Sequence, residues 1–268
     1  MVFLIFLHVC ILTVDSMMIS PLSEGSGVQK QVVKRKITLD MALKSVDDMY
    51  DGCTKEMHEK VGNILIEELT NEKFKNIWTA SDTWAEKKLK DGGTDLTLNH
   101  FKALYAYTSV KNSNGKFYKF FTNDVRNSPE YPRDFQYRAL HFLLSDAISI
   151  LKQKQPVCVT TYRRTRDTFT GEKNDVFRFG SFTSSSLTTN EEKAKRYGKV
   201  GCFEIWTCFG AKLESNAVNE LDEVLIPPYE MFKIDKVFPN GNANLKCNKV
   251  YKVKSAGITS YFNCKGVK

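Results

Sequence analysis

The amino-acid sequence predicts an α+β fold, with helices in the N-terminal half and strands in the C-terminal half. Up to Pro156 apolar residues recur at helical spacing, and beyond it short runs rich in Val, Phe, Thr, Tyr and Ile alternate with Gly, Asn and Pro. Helices followed by strands favour α+β over an alternating parallel sheet. The chain has 268 residues, 42% of them hydrophobic, and no internal repeat or low-complexity linker. We therefore expect one domain over residues 36–268.

Four helices are expected in the N-terminal half. Each is marked by apolar positions three and four residues apart, with Glu and Lys between them. Gly92-Gly93 closes the second helix, and the last carries the widest apolar stripe. The four stripes run over Met57–Leu69, Phe74–Trp84, Phe101–Tyr107 and Phe135–Lys154.

Six strands are expected after Pro156, because the apolar runs there are short and bounded by turn-forming residues. They cover Val157–Tyr162, Val176–Phe182, Val200–Phe209, Val224–Ile226, Phe232–Phe238 and Lys249–Val253.

The first twenty residues resemble a secretory signal peptide. An apolar run from Met1 to Leu12 is too short to span a bilayer, and polar residues follow from Asp15. A buried N-terminal strand and a signal anchor are the alternatives. We expect a signal peptide over residues 1–20, with cleavage near Ser16 or Ser20, and a short polar segment over residues 21–35.

The C-terminal residues and the cysteines also indicate export. Tyr261–Lys268 is polar and basic, whereas a GPI anchor requires a hydrophobic tail. We therefore expect a secreted, extracellular protein with no membrane anchor. Without Cys10, six cysteines remain, which suits disulfides in an oxidising compartment but permits 15 pairings. There is no CxxC pair and the histidines are scattered, so no metal is expected.

Three polar features in the β half are candidate functional sites. Tyr162-Arg163-Arg164 ends a predicted strand, Phe179–Ser186 is a strand entering a hydroxyl-rich turn, and Glu220–Glu223 is an acidic loop before a strand. Taken singly, each has an ordinary explanation as solvated arginines, serine turns or an acidic loop face. The net charge of +8 attracts anions but does not choose among nucleotides, acidic proteins, glycosaminoglycans and nucleic acid.

Together the three features suit a dinucleotide with a labile glycosidic bond. An arginine can pair with a phosphate, a serine hydroxyl can orient the arginine or a ribose, and a carboxylate can stabilise an oxocarbenium-like transition state. The sequence has no Walker-type loop and no GxGxxG after a strand, which argues against phosphoryl transfer and hydride transfer.

The order of these features resembles the R-S-E signature of vertebrate ecto-ADP-ribosyltransferases and related bacterial toxins. The signature is an arginine, then a Ser-x-Ser strand end, then an acidic pair ending in Glu before Val-Leu-Ile-Pro. The resemblance covers nearly the whole mature chain and implies a helical N-terminal part on a split, two-sheet β core with NAD⁺ in the cleft. Other family-like segments are Ala42–Cys53, Ala103–Thr108, Phe117–Phe121 and Ser260–Cys264.

The resemblance implies a role for four side chains. Arg163 matches the arginine that anchors NAD⁺, and Ser184 matches the first serine of Ser-x-Ser, which supports the nicotinamide–ribose site. Glu223 matches the catalytic glutamate that holds the ribose and stabilises the oxocarbenium. Tyr197 falls where the family places an aromatic residue against nicotinamide.

The resemblance further implies the reaction and two disulfides. NAD⁺, with NADP⁺ as a possible substitute, is expected as co-substrate with no permanently bound cofactor. Extracellular proteins that present arginine are the expected acceptors, and no nucleic-acid partner is expected. Cys53 would pair with Cys264 and Cys158 with Cys208, which leaves Cys202 and Cys247 for a third bridge.

Two departures from the family pattern keep alternatives open. Arg164 stands where the family usually has Gly, so it would add a phosphate contact or crowd the cleft. Leu221 stands where arginine-specific members carry Glu to position the acceptor, although Glu220 and Asp222 flank it and a one-residue bulge would bring either carboxylate into position.

The alternatives to arginine transfer are an NAD⁺ glycohydrolase and a catalytically silent secreted binding protein of the same fold. A heparin or nucleic-acid binder ranks last, because it rests on net charge alone.

Overall fold

The computed structural model describes residues 36–109, 116–190, 192, 196–218 and 222–268. The expected signal peptide and the segment over residues 21–35 lie outside the described residues. Within these ranges the helices precede nearly all strands, which confirms the α+β prediction. The helices are α1 (Thr54–Glu68), α2 (Glu72–Ala80), α3 (Asp82–Asp91), α4 (Leu98–Thr108), α5 (Lys116–Arg126) and α6 (Arg138–Lys152).

The prediction of a single helix over Phe74–Trp84 is wrong, because this stretch forms two helices, α2 and α3, that meet at Ser81. The Ser81 hydroxyl donates to the Trp78 carbonyl oxygen at 2.5 Å, and the Ser81 carbonyl accepts the Ala85 amide at 2.9 Å. A side chain that bonds to its own backbone competes with helical pairing, so one helix ends and the next begins there.

The strands form one large sheet and one small one. The large sheet has the order β4-β9-β10-β6-β2-β5-β8-β7, and β1 pairs in parallel with β3. The strands are β1 (Lys36–Thr38), β2 (Val159–Thr165), β3 (Thr168–Thr170), β4 (Val176–Arg178), β5 (Thr183–Ser186), β6 (Gly201–Thr207), β7 (Ala211–Lys212), β8 (Glu223–Ile226), β9 (Glu230–Phe238) and β10 (Lys249–Ile258).

The large sheet is split between β2 and β5. These strands share a single register pair, Tyr162 with Ser186, whereas β2 and β6 are paired along their full length from Val159 to Thr165. The two halves, β4-β9-β10-β6-β2 and β5-β8-β7, therefore join at one point, and this is the split core that the resemblance implies.

Two strand predictions are corrected. The run Val176–Phe182 is not one strand, because β4 ends at Arg178 and β5 begins only at Thr183. Gly180 lies between them with φ of +69°, and its carbonyl accepts the Ser45 hydroxyl at 2.8 Å, so the backbone turns there. The predicted strand end at Arg164 is also wrong, since β2 continues to Thr165. The short strands β1, β3 and β7 were not predicted.

The helical core reaches the sheet through Phe182, the residue before β5. Phe182 is fully buried and contacts rings from three helices: Tyr107 of α4, Phe121 of α5 and His141 of α6, with centroids 6.2, 5.9 and 5.0 Å away. Aromatic contacts of this kind stabilise a fold beyond the area they bury. The start of β5 is therefore fixed by the helices.

Three disulfides link the chain: Cys53–Cys264, Cys158–Cys208 and Cys202–Cys247. They confirm the two pairings implied by the resemblance and the pairing expected for the remaining two cysteines. In the described part of the chain, no helix is long and apolar enough to cross a membrane.

Candidate active site

The structure brings the three principal candidate residues onto adjacent strands. Arg163 lies on β2, Ser184 on β5 and Glu223 on β8, and β5 lies between the other two. Arg163 Nη1 donates to the Ser184 carbonyl oxygen at 2.5 Å. The arginine therefore bridges the split in the sheet, because its guanidinium on one half holds the backbone of the other.

Glu223 begins β8 and is 9% exposed. Its register partner on β5 is Ser186, and its own carbonyl accepts the Leu213 amide at 2.9 Å. Pairing on both sides fixes its backbone, so the carboxylate is held at the junction by the sheet. A fixed carboxylate stabilises developing positive charge without the cost of reorienting solvent.

Tyr107 of α4 belongs to this site, although the sequence did not single it out as functional. Its hydroxyl donates to the Phe182 carbonyl oxygen at 2.8 Å and lies near the Ser184 side chain. Burial, and then the neighbouring Tyr118, raise the pKa of Tyr107 well above 10; the nearby Ser184 hydroxyl and the Arg163 charge lower this pKa, and Glu223 raises it. Tyr107 is therefore a neutral phenol among the three candidate residues.

The periodicity of α4 concealed this role. Tyr107 occupies an apolar position of the helix, so the sequence pattern predicts an ordinary core residue, and it is 2% exposed. Its place in the family-like segment Ala103–Thr108 could have indicated a role, but the resemblance assigns no chemical function to that segment.

The acidic loop is described in part. The Asp222 carboxylate accepts hydrogen bonds from the Ser186 hydroxyl at 2.7 Å and the Thr188 hydroxyl at 2.5 Å, so it is tied to the end of β5. On the other side of the loop, the Val218 amide donates to the Thr108 hydroxyl at 3.2 Å. Glu220 and Leu221 lie outside the described residues.

Arg164 is a buried anchor between a disulfide and the segment after β5. It is 8% exposed and donates to Cys247 Sγ at 3.4 Å and to the Thr189 carbonyl oxygen at 3.1 Å. Successive side chains of a strand point to opposite faces, so Arg164 projects away from the face that Arg163 uses. These contacts give the bulky residue in the glycine position a packing role.

Tyr197 lies beside the end of β2. The Arg196 guanidinium is 5.1 Å from the Tyr197 ring centroid, and the Arg196 carbonyl accepts Arg166 Nη2 at 3.2 Å. Tyr197 is 38% exposed. Its contact with nicotinamide stays a prediction. Within the described ranges, no group of three or more His, Cys, Asp or Glu is gathered as a metal site requires.

This arrangement defines a class of enzyme. An arginine, a serine and a buried glutamate meet where a split sheet is joined, and a helical core holds the middle strand. Such a site can bind a dinucleotide phosphate and stabilise an oxocarbenium ion, as an enzyme that cleaves NAD⁺ at its nicotinamide–ribose bond requires.

The family model for NAD:arginine ADP-ribosyltransferases matches residues 39–254. This chain belongs to that family. It is 30% identical to ecto-ADP-ribosyltransferase 4 of Homo sapiens over 91% of this chain and 79% of the relative. It is 31% identical to the erythroblast NAD(P)(+)–arginine ADP-ribosyltransferase of Gallus gallus over 87% of this chain and 77% of the relative.

Solved structures agree with the fold. The eukaryotic mono-ADP-ribosyltransferase ART2.2 is 27% identical, with a TM-score of 0.71 over 85% of this chain and 98% of that chain. A variant of the same enzyme in complex with NAD has a TM-score of 0.69 at 28% identity, with the same coverage of both chains.

The chain is therefore a mono-ADP-ribosyltransferase with NAD⁺ as its co-substrate. Several relatives, ecto-ADP-ribosyltransferase 4 among them, are named ecto-enzymes, which supports an extracellular location.

Proposed function

We propose that this chain is secreted and transfers ADP-ribose from NAD⁺ to arginine side chains of extracellular proteins, with release of nicotinamide. One observation carries the proposal: Arg163, Ser184 and Glu223 lie on three adjacent strands, and Arg163 bonds across the split to the Ser184 backbone. Relatives named NAD(P)(+)–arginine ADP-ribosyltransferases support both arginine as acceptor and NADP⁺ as a second donor.

Each residue has a defined part in the proposed reaction. Arg163 pairs with the dinucleotide phosphates, and Ser184 orients the nicotinamide ribose. The C1′–N bond breaks, its electron pair leaves with nicotinamide, and Glu223 holds a ribose hydroxyl while its charge stabilises the oxocarbenium. A guanidino nitrogen of the acceptor then bonds to C1′ and releases a proton. Tyr197 is proposed to cover the nicotinamide ring.

The acceptor side of the site depends on the acidic loop. Leu221 stands where arginine-specific members carry a glutamate, so a flanking carboxylate, Asp222 or Glu220, is proposed to orient the guanidino group. The Asp222 carboxylate supports this proposal, because the Ser186 and Thr188 hydroxyls fix it beside the strand of Ser184.

Hydrolysis of NAD⁺ is the second candidate, and Leu221 favours it. If neither flanking carboxylate positions an acceptor, water attacks C1′ and free ADP-ribose results. The chemistry at Glu223 is the same in both cases, so only the product distinguishes them.

The first test is incubation of the purified protein with isotopically labelled NAD⁺, with and without agmatine as a guanidino acceptor. ADP-ribosyl-agmatine is the expected product. Free ADP-ribose without adduct would assign the chain as a glycohydrolase, and intact NAD⁺ throughout would indicate a silent binding protein.

The catalytic assignment is tested by Glu223→Gln, which is nearly isosteric. We expect loss of both transfer and hydrolysis, with the unfolding midpoint preserved. Glu172→Gln is the matched control, since Glu172 is exposed on a turn and its change should leave turnover intact. A Glu223→Gln variant that keeps most of its turnover would remove Glu223 from the mechanism.

Secretion is tested separately. We expect the expressed chain in the culture medium of a eukaryotic host. Recovery only after treatment of the cells with a phosphatidylinositol-specific phospholipase would indicate an anchored protein instead, as one human relative is named GPI-linked.

A further inference from the structure

Four adjacent strands carry an unusual row of side chains on one face of the large sheet. Lys233 of β9 is the register partner of Lys254 of β10, Lys254 is the partner of Trp206 of β6, and Trp206 is the partner of Thr160 of β2. Residues directly opposite one another in a sheet project from the same face. These four side chains therefore form one continuous row across the sheet.

A second row of the same kind lies one pleat away. Lys236 of β9 is opposite Lys252 of β10, Lys252 is opposite Glu204 of β6, and Glu204 is opposite Tyr162 of β2. The two rows place four lysines in two cross-strand pairs beside an exposed tryptophan. We call Lys233, Lys236, Lys252, Lys254 and Trp206 the lysine–tryptophan face.

Lysine opposite lysine is unfavourable in a sheet, since like charges directly opposite repel. Among the described residues, acidic neighbours compensate one lysine of each pair: Lys254 Nζ is 3.2 Å from Asp235, and Lys252 Nζ is 2.9 Å from Glu204. The face keeps an excess of two positive charges. A partner with negative charge would relieve the repulsion.

Trp206 gives this face an apolar anchor. Its side chain is 46% exposed in the middle of a sheet, although burying a ring of this size would stabilise the fold. Tryptophan is among the residues most enriched at the centres of protein interfaces. It borders a shallow cavity of about 390 Å³, lined by Thr160, Glu204, Trp206, Lys252, Val253 and Lys254.

The second row leads to Glu223 by strand register, on the face of β2 opposite to the one that Arg163 uses. Tyr162 pairs with Ser186 across the split, and Ser186 pairs with Glu223. Lys252 and Glu223 are thus four strands apart, which is roughly 19 Å along the sheet at about 4.8 Å per strand. A protein bound at the lysine–tryptophan face spans that distance, whereas a small acceptor does not.

We propose that the lysine–tryptophan face docks an acidic, partly apolar segment of the protein acceptor and so presents a nearby arginine to Glu223. This inference rests on the proposed function. The four lysines would pair with Asp and Glu side chains, and Trp206 would pack against an apolar residue among them. Charge complementarity across such a face selects a partner and lowers the acceptor KM without changing the chemistry at Glu223.

The experiment compares three acceptors with labelled NAD⁺. Two are peptides that each contain one arginine and, roughly six residues away, a tract of equal length. The tract is acidic and contains Leu in the first peptide, and it is uncharged in the second. The spacer has this length because about six extended residues span the distance between the lysine–tryptophan face and Glu223. The third is agmatine. We expect the acidic peptide to have a KM about tenfold below that of the uncharged peptide. A two-residue spacer should remove this advantage.

The variants are Trp206→Ala and the double change Lys233→Gln with Lys254→Gln. Each should raise the KM of the acidic peptide several-fold and leave its kcat and all agmatine kinetics unchanged. Lys87→Gln with Lys90→Gln is the control, because it removes the same charge from two exposed residues of α3 and should change nothing.

Equal KM values for the acidic and uncharged peptides in the unaltered enzyme would overturn the proposal. An equal rise in the KM of the acidic peptide in the α3 control would also overturn it. A direct binding titration of the acidic peptide needs no turnover and separates the two ideas: binding that depends on Trp206, without transfer to agmatine, would uphold the docking face and refute arginine transfer. Trp206-dependent binding of heparin or duplex DNA in preference to the peptide would reject a protein partner.

Discussion

The hydroxyl of Tyr107 donates a hydrogen bond to the backbone carbonyl oxygen of Phe182, 2.8 Å away, two residues before Ser184. The same phenol lies near the Ser184 side chain. The next residue, Thr108, accepts the Val218 amide at the start of the acidic loop. The end of α4 thus holds both the strand of Ser184 and the segment that leads to Glu223. Tyr107 and Thr108 are positioning residues.

Replacing Tyr107 with Phe should impair turnover, because it removes the hydroxyl and keeps the ring. We expect kcat to fall about tenfold, which corresponds to about 1.4 kcal/mol of transition-state stabilisation. The free energy of unfolding should fall by about 1–2 kcal/mol, since the Phe182 carbonyl would be buried without its partner. Steady-state kinetics with agmatine and urea unfolding measure the two effects.

Tyr251→Phe is the matched control. The Tyr251 hydroxyl also donates to a buried backbone carbonyl, that of Phe169 at 2.6 Å, but it belongs to a different core cluster. This change should cost similar stability and leave kcat intact. Equal losses of kcat in the two variants would show that Tyr107 acts only through general stability.

The buried pair of Asp47 and Arg178 should dominate the stability of the C-terminal segment. Both side chains are fully buried, and Asp47 also accepts hydrogen bonds from the Tyr261 and Phe262 amides at 3.0 Å. Arg178→Met would leave a buried carboxylate without its cation, so the free energy of unfolding should fall by about 3–5 kcal/mol.

The comparison for that variant is Arg133→Met, which breaks an exposed pair with Glu130. It should cost less than about 1 kcal/mol by the same urea measurement. A loss at Arg178 no larger than this would contradict the role given to the buried pair.

Stability should fall as pH rises because of Glu68. This carboxylate accepts the Arg138 and Ala139 amides at the start of α6, yet burial raises its pKa from the usual 4.5 to about 8. The folded state then binds more protons than the unfolded state between these pH values, so the contribution of Glu68 to stability is full below about pH 4.5 and is lost as pH rises through 8.

Glu68→Gln should flatten this part of the pH profile. The free energy of unfolding is measured with urea at pH 5 and at pH 8.5. The difference between the two values should be smaller in the variant than in the unaltered protein by on the order of 3 kcal/mol. Glu67→Gln is the control, since Glu67 is the exposed neighbour of Glu68 and carries the same charge on the same helix. An unchanged profile in Glu68→Gln would show that Glu68 keeps an ordinary pKa in the folded state.

Leu221→Glu should shift the products from ADP-ribose towards ADP-ribosyl-agmatine, because it supplies the carboxylate that arginine-specific members carry. The ratio of the two products from labelled NAD⁺ measures the effect. An unchanged ratio of ADP-ribosyl-agmatine to ADP-ribose would mean that Asp222 or Glu220 already positions the acceptor. The matching amide variant, Asp222→Asn or Glu220→Gln, would then lower that ratio.

The sequence predicted those parts of the structure that depend on local pattern or on motif order. The strong apolar stripe of α6 and the long runs of β6 and β9 were found because periodicity is strong in long elements. Strands of two or three residues, such as β1, β3 and β7, have too few positions to show a period. The break at Ser81 was missed because its cause is one side-chain hydrogen bond.

The candidate site was predictable as a set of residue types and not as a geometry. Motif order indicated Arg163, Ser184 and Glu223, but only the topology shows that β5 lies between β2 and β8. Tyr107 was hidden by its apolar position on α4. The lysine–tryptophan face was invisible for a related reason: its residues come from β6, β9 and β10, and cross-strand register brings them together.

The Cys53–Cys264 disulfide joins residues 211 positions apart and makes most of the chain a covalently closed ring. A protease that cuts once anywhere inside this ring produces two fragments that stay linked. Such a nicked enzyme would run as a single species on a gel until a reductant separates the fragments. Outside the cell, where proteases are common and reductants scarce, the bridge keeps the two fragments of a single cleavage together.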